Sequence, residues 1–311
     1  MFRRKADDEA ETQPHPYLDR REAVSAVLRR LELDINMRLD GLLQGDYRGL
    51  VPGHGSEPGE TRRYTPGDDV RRIDWNVSAR MVETYIRQTI ADRELETAVA
   101  VDLTPSLDFG TADSEKRDLA AAATAAIGFL TLRVGNRFGA ELIRPDGVES
   151  IPAKQGRGHV LHIVEQVLTA PRADSSTTTL ADGIARLHGP HRRKGMRAVI
   201  SDFIDDSDWQ QQLKLVSIRN QLIAVEIVDP REMGLPNVGT LSVVDPETGQ
   251  RREIHTQRRK VRELYAQAAI EQRANIAQTF RESGTNHLQL STDRDWLLDV
   301  VRFVATQKGL K

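Results

Sequence analysis

The part of this chain that most constrains its fold begins at Thr97, where short apolar runs alternate with helical segments almost to the end. "TAVAVD" reads as a buried strand, and "DSEKRDLAAAATAAIGFLTLRVG" as a helix with acidic residues early and Gly135 at its end. "RFGAELI" reads as a second strand, and "VESIPA" can pair back onto it after the "RPDG" turn. Helices are expected at "HVLHIVEQVLTA", "TLADGIARLH" and "SDWQQQLKLVSIR", with strands at "MRAVISDF" and "QLIAVEIVD" between or after them. "GTLSVVDPETGQRREIHT" reads as two strands around a Pro/Gly turn. A long helix near Arg258 to Glu282, a strand "HLQLS" and a last helix from Arg294 to about Thr306 complete the pattern. This alternation predicts an α/β fold with a doubly wound, mostly parallel sheet, carrying a hairpin insertion near 239–255.

Upstream the pattern differs. Val24, Val27, Leu28, Leu31 and Ile35 recur at helical spacing between Leu18 and Leu43. The stretch "QGDYRGLVPGHGSEPGETRRYTPGDD" holds too much Gly and Pro for a helix interior and predicts an extended or looping arm. "MVETYIRQTIADRELE" suits a strand. The expected organisation is a disordered N-terminus over 1–17, a helix and arm over 18–94, and the α/β domain over 95–311. A chain of 311 residues is long enough for such a division.

Composition narrows the function classes. With 44 Lys+Arg against 46 Asp+Glu, no global field favours nucleic acid or an anionic membrane, so charge-based recognition must be local. The absence of Cys excludes disulfides, thiolate zinc sites and a Cys nucleophile, and agrees with a reducing compartment. The first residues contain no apolar run of the signal-peptide kind, and "LAAAATAAIGFLTL" is too short to span a bilayer. The expectation is a cytoplasmic protein with no membrane span.

In doubly wound sheets ligands bind beyond the carboxyl ends of the strands, so the loops there carry the chemistry. In "VDLTPSLDFG", Asp102, Thr104 and Ser106 stand at every second position, a spacing that turns a carboxylate and two hydroxyls to one side of an extended loop. "SSTTTLADG" offers Thr177, Thr178 and Thr179 before a helix, where a hydroxyl could instead cap free amides. "MRAVISDFIDD" ends its strand at Asp202, whereas Asp205 and Asp206 read as a solvated acidic loop. Two carboxylates and several hydroxyls on one rim make an oxygen-only site suited to a hard cation.

"DLTPS", the Thr loop and "ISDF" resemble, in that order, the metal-ion-dependent adhesion site of von Willebrand factor A domains, whose first motif is Asp-x-Ser-x-Ser. With "RRYTPGDDVRRIDWNVSAR" upstream, and "SDFIDD", "VDPREMGLPNVG" and "VDPETG" downstream, the chain resembles the bacterial family called domain of unknown function 58. The resemblance implies a von Willebrand factor A-like fold and a metal bound by Asp102, Thr104, Ser106, Thr178 and Asp202. The ion expected from the resemblance is Mg²⁺, with Mn²⁺ or Ca²⁺ as alternatives. Thr104 departs from the usual Ser; its hydroxyl can still ligate, but its methyl restricts the rotamers.

The resemblance also implies a partner, a MoxR-type AAA+ ATPase, and a client protein that offers a carboxylate to the metal. No G-x-x-x-x-G-K-[ST] loop occurs in this chain, so ATP-driven work would belong to another protein. The expected role is therefore a non-enzymatic adaptor, chaperone-like in the assembly or maturation of other proteins. The alternative is a metal-dependent phosphoryl or ester hydrolase built on Asp102. Its haloacid-dehalogenase form needs an acid two residues on, where Thr104 stands.

"YTPGDDVRRIDWNVSAR" crowds charges around one Trp without an evident nucleophile and base. It reads as a structural or docking motif of Asp68, Asp69, Arg71, Asp74, Trp75 and Arg80. In that reading Arg71, Arg72 or Arg80 pairs with one of the acids while Trp75 buries its ring.

Overall fold

The computed structural model describes residues 28–31, 33, 35, 58–65, 70, 73–81, 83–89, 95–108, 114–189, 193–244 and 251–308. The expectation for 1–17 falls wholly outside this set, as do Asp68, Asp69, Arg71 and Arg72. In chain order the strands are β1 (Pro58–Arg63), β2 (Tyr85–Thr89), β3 (Glu96–Asp102), β4 (Arg137–Arg144), β5 (Gly147–Lys154), β6 (Gly195–Ser201), β7 (Gln221–Val228), β8 (Thr240–Val244), β9 (Arg251–His255) and β10 (Asn286–Ser291). The helices are α1 (Trp75–Ser78), α2 (Lys116–Arg133), α3 (Arg157–Thr169), α4 (Leu180–Leu187), α5 (Trp209–Ser217), α6 (Arg259–Glu282) and α7 (Trp296–Lys308).

Six strands form the main sheet in the order β10-β7-β6-β3-β4-β5. All neighbouring pairs are parallel except β4 with β5, which close an antiparallel hairpin at the edge. Counting only these strands along the chain, the order is the doubly wound 3-2-1-4-5-6 arrangement, with its first three strands running from one edge to the centre. The α/β class and the mostly parallel sheet are as the alternation predicts.

Strand periodicity divides the core between the two faces of the sheet. Val99, Val101, Ala198, Ile200, Ile223, Val225 and Ile227 pack against α2, α3 and α7. Ala98, Ala100, Val199, Leu222 and Ala224 face the other way, against α4, α5 and the end of α6. Because both faces are covered, the central strands are buried at almost every position, and their apolar residues run consecutively rather than alternating with exposed ones. Helix α2 is buried along nearly its whole length, so its Ala-rich sequence packs on more than one side.

Outside the main sheet, β1 and β2 pair antiparallel, and β8 and β9 form the expected hairpin. The residues at 28–31, 33 and 35 are helical, and Ile35 is wholly buried in the core, with Leu28 and Leu31 packed against the same cluster.

Candidate functional site at the carboxyl edge of the sheet

Strand β3 delivers Asp102 to the carboxyl edge of the sheet, where the chain enters a 3-10 turn at Pro105–Asp108. One oxygen of Asp102 accepts from the Thr104 amide at 3.0 Å and from the Thr104 hydroxyl at 2.7 Å. The other accepts from the Ser201 hydroxyl at 2.7 Å, which joins the end of β6 to the end of β3. Thr104 Oγ1 lies 3.3 Å from Ser106 Oγ, so the first motif brings its two hydroxyls together, through a 3-10 turn rather than the extended loop that the alternate spacing suggests. Asp102, Thr104 and Ser106 are all buried.

The threonine loop sorts its three members by their partners. Thr179 caps α4: its hydroxyl accepts from the Asp182 amide, and the Asp182 carboxylate accepts from the Thr179 amide and hydroxyl. The Thr177 amide and hydroxyl both donate to the Pro145 carbonyl, which fastens the loop to the end of β4. Thr178 is also buried, its amide and carbonyl bonded to the Ser176 hydroxyl, while no protein group among the described residues engages its own hydroxyl. Of the three, Thr178 is the one whose hydroxyl no protein group engages among the described residues.

Asp205 departs from the expectation of a solvated acid. Its carboxylate accepts from the Leu180 amide at 2.9 Å and from the Ser207 amide at 2.6 Å, and the Ser207 hydroxyl accepts from the Ala181 amide. The free amides at the start of α4 need acceptors, and Asp205 reaches them from a loop 25 residues away in the chain. It ties the threonine loop to the loop after β6. Asp206 is exposed, as expected.

Asp202 is almost wholly buried, and one of its oxygens accepts from the Ile204 amide at 3.0 Å. Its other oxygen is held by Lys116 Nζ at 2.9 Å. Next along the chain, Phe203 adopts a left-handed backbone with φ 57°, unusual for a bulky residue. The reversal leaves the Phe203 ring in the second core, against Trp209 and Phe280, with Asp202 on the rim.

Lys116 was not among the residues singled out from the sequence. Its ammonium also donates to the Ser106 carbonyl at 3.3 Å and pairs with Glu232, which lies in the 3-10 turn Pro230–Met233. Arg273, from α6, joins the network: it donates to the Asp202 carbonyl at 2.7 Å, to Glu226 at 2.9 Å and to Glu232 at 2.9 Å. Burial alone would lower the Lys116 pKa, but the charges of Asp202 and Glu232 outweigh it and hold the ammonium above its ordinary value. Glu232 belongs to "VDPREMGLPNVG", a stretch whose role the sequence left unassigned. A lysine in the first turn of a helix reads by itself as a solvated charge.

A cation can be tested against these residues. Burial first, and then the neighbouring charge of Asp202, push the Asp102 carboxyl up to about 6, against the hydrogen bonds from Ser201 and Thr104. No basic side chain touches Asp102 among the described residues, so its negative charge is stabilised only by hydroxyls and an amide. Thr104 and Ser106 present hydroxyl lone pairs beside it. Hard oxygen donors around an uncompensated carboxylate fit a hydrated Mg²⁺, which keeps several waters and needs few protein ligands. Asp202 differs from the other members of the expected set because a cation, Lys116, already occupies one of its oxygens. Among the described residues no group of three or more His, Cys, Asp or Glu forms a metal-binding cluster, so any such site rests on the hydroxyls.

In the upstream motif, Asp74 is the N-cap of α1 and accepts from the Asn76 and Val77 amides at 3.1 and 3.2 Å. The Ser78 hydroxyl receives the Tyr85 amide, and the Asp74 amide donates to the Tyr85 carbonyl, so α1 is pinned to the start of β2. The expected burial of Trp75 is overturned: the residue is 71% exposed, at the first position of a one-turn helix that buries none of its residues. Arg80 is also exposed.

The sheet order and the oxygen-lined rim at its carboxyl edge define a doubly wound α/β protein. Residues 60–275 match the family described as "Protein of unknown function DUF58", and the chain belongs to that family. It is 47% identical over 286 residues to the uncharacterized protein Rv1480 of Mycobacterium tuberculosis, an alignment covering 92% of this chain and 90% of that protein. The uncharacterized protein Mb1516 of Mycobacterium bovis matches to the same extent. Among solved structures, the conserved hypothetical protein BatB from Bacteroides thetaiotaomicron aligns with a TM-score of 0.41 at 10% identity, over 69% of this chain and 99% of that one. The SpRpn10 VWA domain aligns with a TM-score of 0.36 at 12% identity, over 67% of this chain and 93% of that one.

Proposed function

We propose that this protein is a non-enzymatic interaction module whose rim binds a divalent cation, Mg²⁺ in the first instance, and through it a carboxylate of a partner protein. The observation that carries the reading is Asp102: a buried carboxylate without a basic partner among the described residues, beside the Thr104 and Ser106 hydroxyls. Thr178 adds the third hydroxyl from the neighbouring loop, with Asp202 across the rim. A bound cation would supply the missing positive charge and leave coordination positions for a ligand from outside. The sequence resemblance supplies the partner, a MoxR-type AAA+ ATPase acting with this chain on a client protein in the cytoplasm. Among the described residues no helix is long and apolar enough to cross a membrane.

The test is a thermal-shift titration with MgCl₂ and MnCl₂, because a ligand bound only by the folded state must raise its stability. The paired measurement is co-purification with the ATPase in Mg²⁺ and then in EDTA. Equal recovery of the ATPase by the wild type in both buffers, and by an Asp102→Ala, Ser106→Ala variant, would remove the metal from the binding mechanism.

A further inference from the structure

We infer that Lys116 sets the cation affinity of the rim: its ammonium neutralises Asp202 from inside the protein and competes with any divalent ion for that carboxylate. This inference rests on the reading of the rim as a cation site. Three hydrogen-bond donors on the ammonium face three acceptors: the Asp202 carboxylate, the Ser106 carbonyl and the Glu232 carboxylate. Lys116 is fully buried, and Glu232 is itself held by Arg273, so the ammonium is fixed rather than free to swing toward a ligand. Its tie to the Ser106 carbonyl places this positive charge beside the same loop that presents the Ser106 hydroxyl.

Two consequences follow. Asp202 serves the rim as the anchor of Lys116, not as a free anionic ligand. A dication at the hydroxyls also meets a fixed positive charge across the rim, which weakens its binding relative to a rim without the lysine. The chain thus carries a monovalent cation of its own against the second acid of the expected ligand set.

The experiment is calorimetric titration of the full chain with MgCl₂ and MnCl₂, comparing wild type, Lys116→Gln and Lys116→Arg. Lys116→Gln is expected to lower the half-saturating concentration about tenfold or more, while Lys116→Arg, which keeps the charge, stays near wild type. A double variant, Lys116→Met with Asp202→Asn, removes the pair without changing net charge and keeps a readout if the single variant fails to fold. Its half-saturating concentration is expected within about threefold of wild type, since Asp202 is already neutralised. Loss of binding in the double variant would make Asp202 a direct ligand and overturn the inference. So would a Lys116→Gln variant that binds as wild type does or more weakly, although the cation reading of the rim would stand. Absence of binding in every variant, wild type included, would overturn both.

Discussion

Lys116 and Asp202 stand 86 residues apart in the chain, yet the ammonium of one lies 2.9 Å from a carboxylate oxygen of the other and both are buried. The pair joins the start of α2 to the loop after β6, and through the Ser106 carbonyl to the loop after β3. Two of the three loops of the rim are therefore held by one side chain.

Breaking that pair on one side should destabilise the protein strongly. Lys116→Met leaves Asp202 buried without its cation, and the expected loss is about 3–5 kcal/mol. Adding Asp202→Asn should recover a large part of it, because the uncompensated charge is then gone. Urea denaturation of the two single variants and the double variant measures the coupling. Additive losses would show that the two groups do not act as a pair.

The fold was legible in the chain because the central strands and the helices between them are each local patterns. The grouping of Asp102, Thr104 and Ser106 was legible for a similar reason, since the contacts among them span two residues, although the 3-10 turn that holds Ser106 was not. The sequence offered Thr177, Thr178 and Thr179 alike, and only the folded loop shows that the hydroxyls of Thr177 and Thr179 engage Pro145 and Asp182. Lys116, Glu232 and Arg273 were not legible, because each looks like a surface charge until the sheet brings α2, the turn after β7 and α6 to one point. Asp205 was misread on the same ground: its acceptors' partners lie on another loop. Trp75 was misread because a large aromatic suggests burial, whereas a one-turn helix can leave it facing water.

Asp205→Ala should loosen the threonine loop. The Leu180 amide loses its acceptor at the start of α4, a cap-like loss of about 0.5–2 kcal/mol. Hydrogen exchange at Leu180 and Ala181 should accelerate in the variant while the amides within β6 stay protected. Unchanged exchange at Leu180 would mean that Asp205 does not hold the loop.

Gly183 tests how closely α4 must sit on the sheet. A Cβ at this position would clash with the Ile143 side chain, and Ile143 is fully buried, so it has little room to give. Gly183→Ala should cost about 1–3 kcal/mol despite the better helix propensity of alanine. A melting temperature at or above that of the wild type would show that the helix shifts freely.

The upstream motif separates capping from exposure. Asp74→Ala removes the acceptor of two amides and should lower stability by about 0.5–2 kcal/mol, whereas Trp75→Ala should change it by no more than about 0.5 kcal/mol. Thermal melts of both variants decide the matter. A large loss from Trp75→Ala would mean that the ring has a stabilising contact in the folded protein.

Glu226 should give the protein a stability that depends on acid. Burial alone would raise its carboxyl. The hydrogen bond with His287 at 2.7 Å, the charge of Arg273 and the hydrogen bond from Gln289 outweigh burial and hold it below its ordinary 4.5. The unfolded chain therefore takes up the proton first as pH falls. The contribution of the ionised group is fully present above about pH 4.5 and is lost as pH drops through the lower folded-state value. Urea midpoints of the wild type and Glu226→Gln should thus differ most near neutrality and converge in acid, wherever both variants still fold. A difference that stays constant down to about pH 3, or that grows, would show that Glu226 is not a stabilising carboxylate.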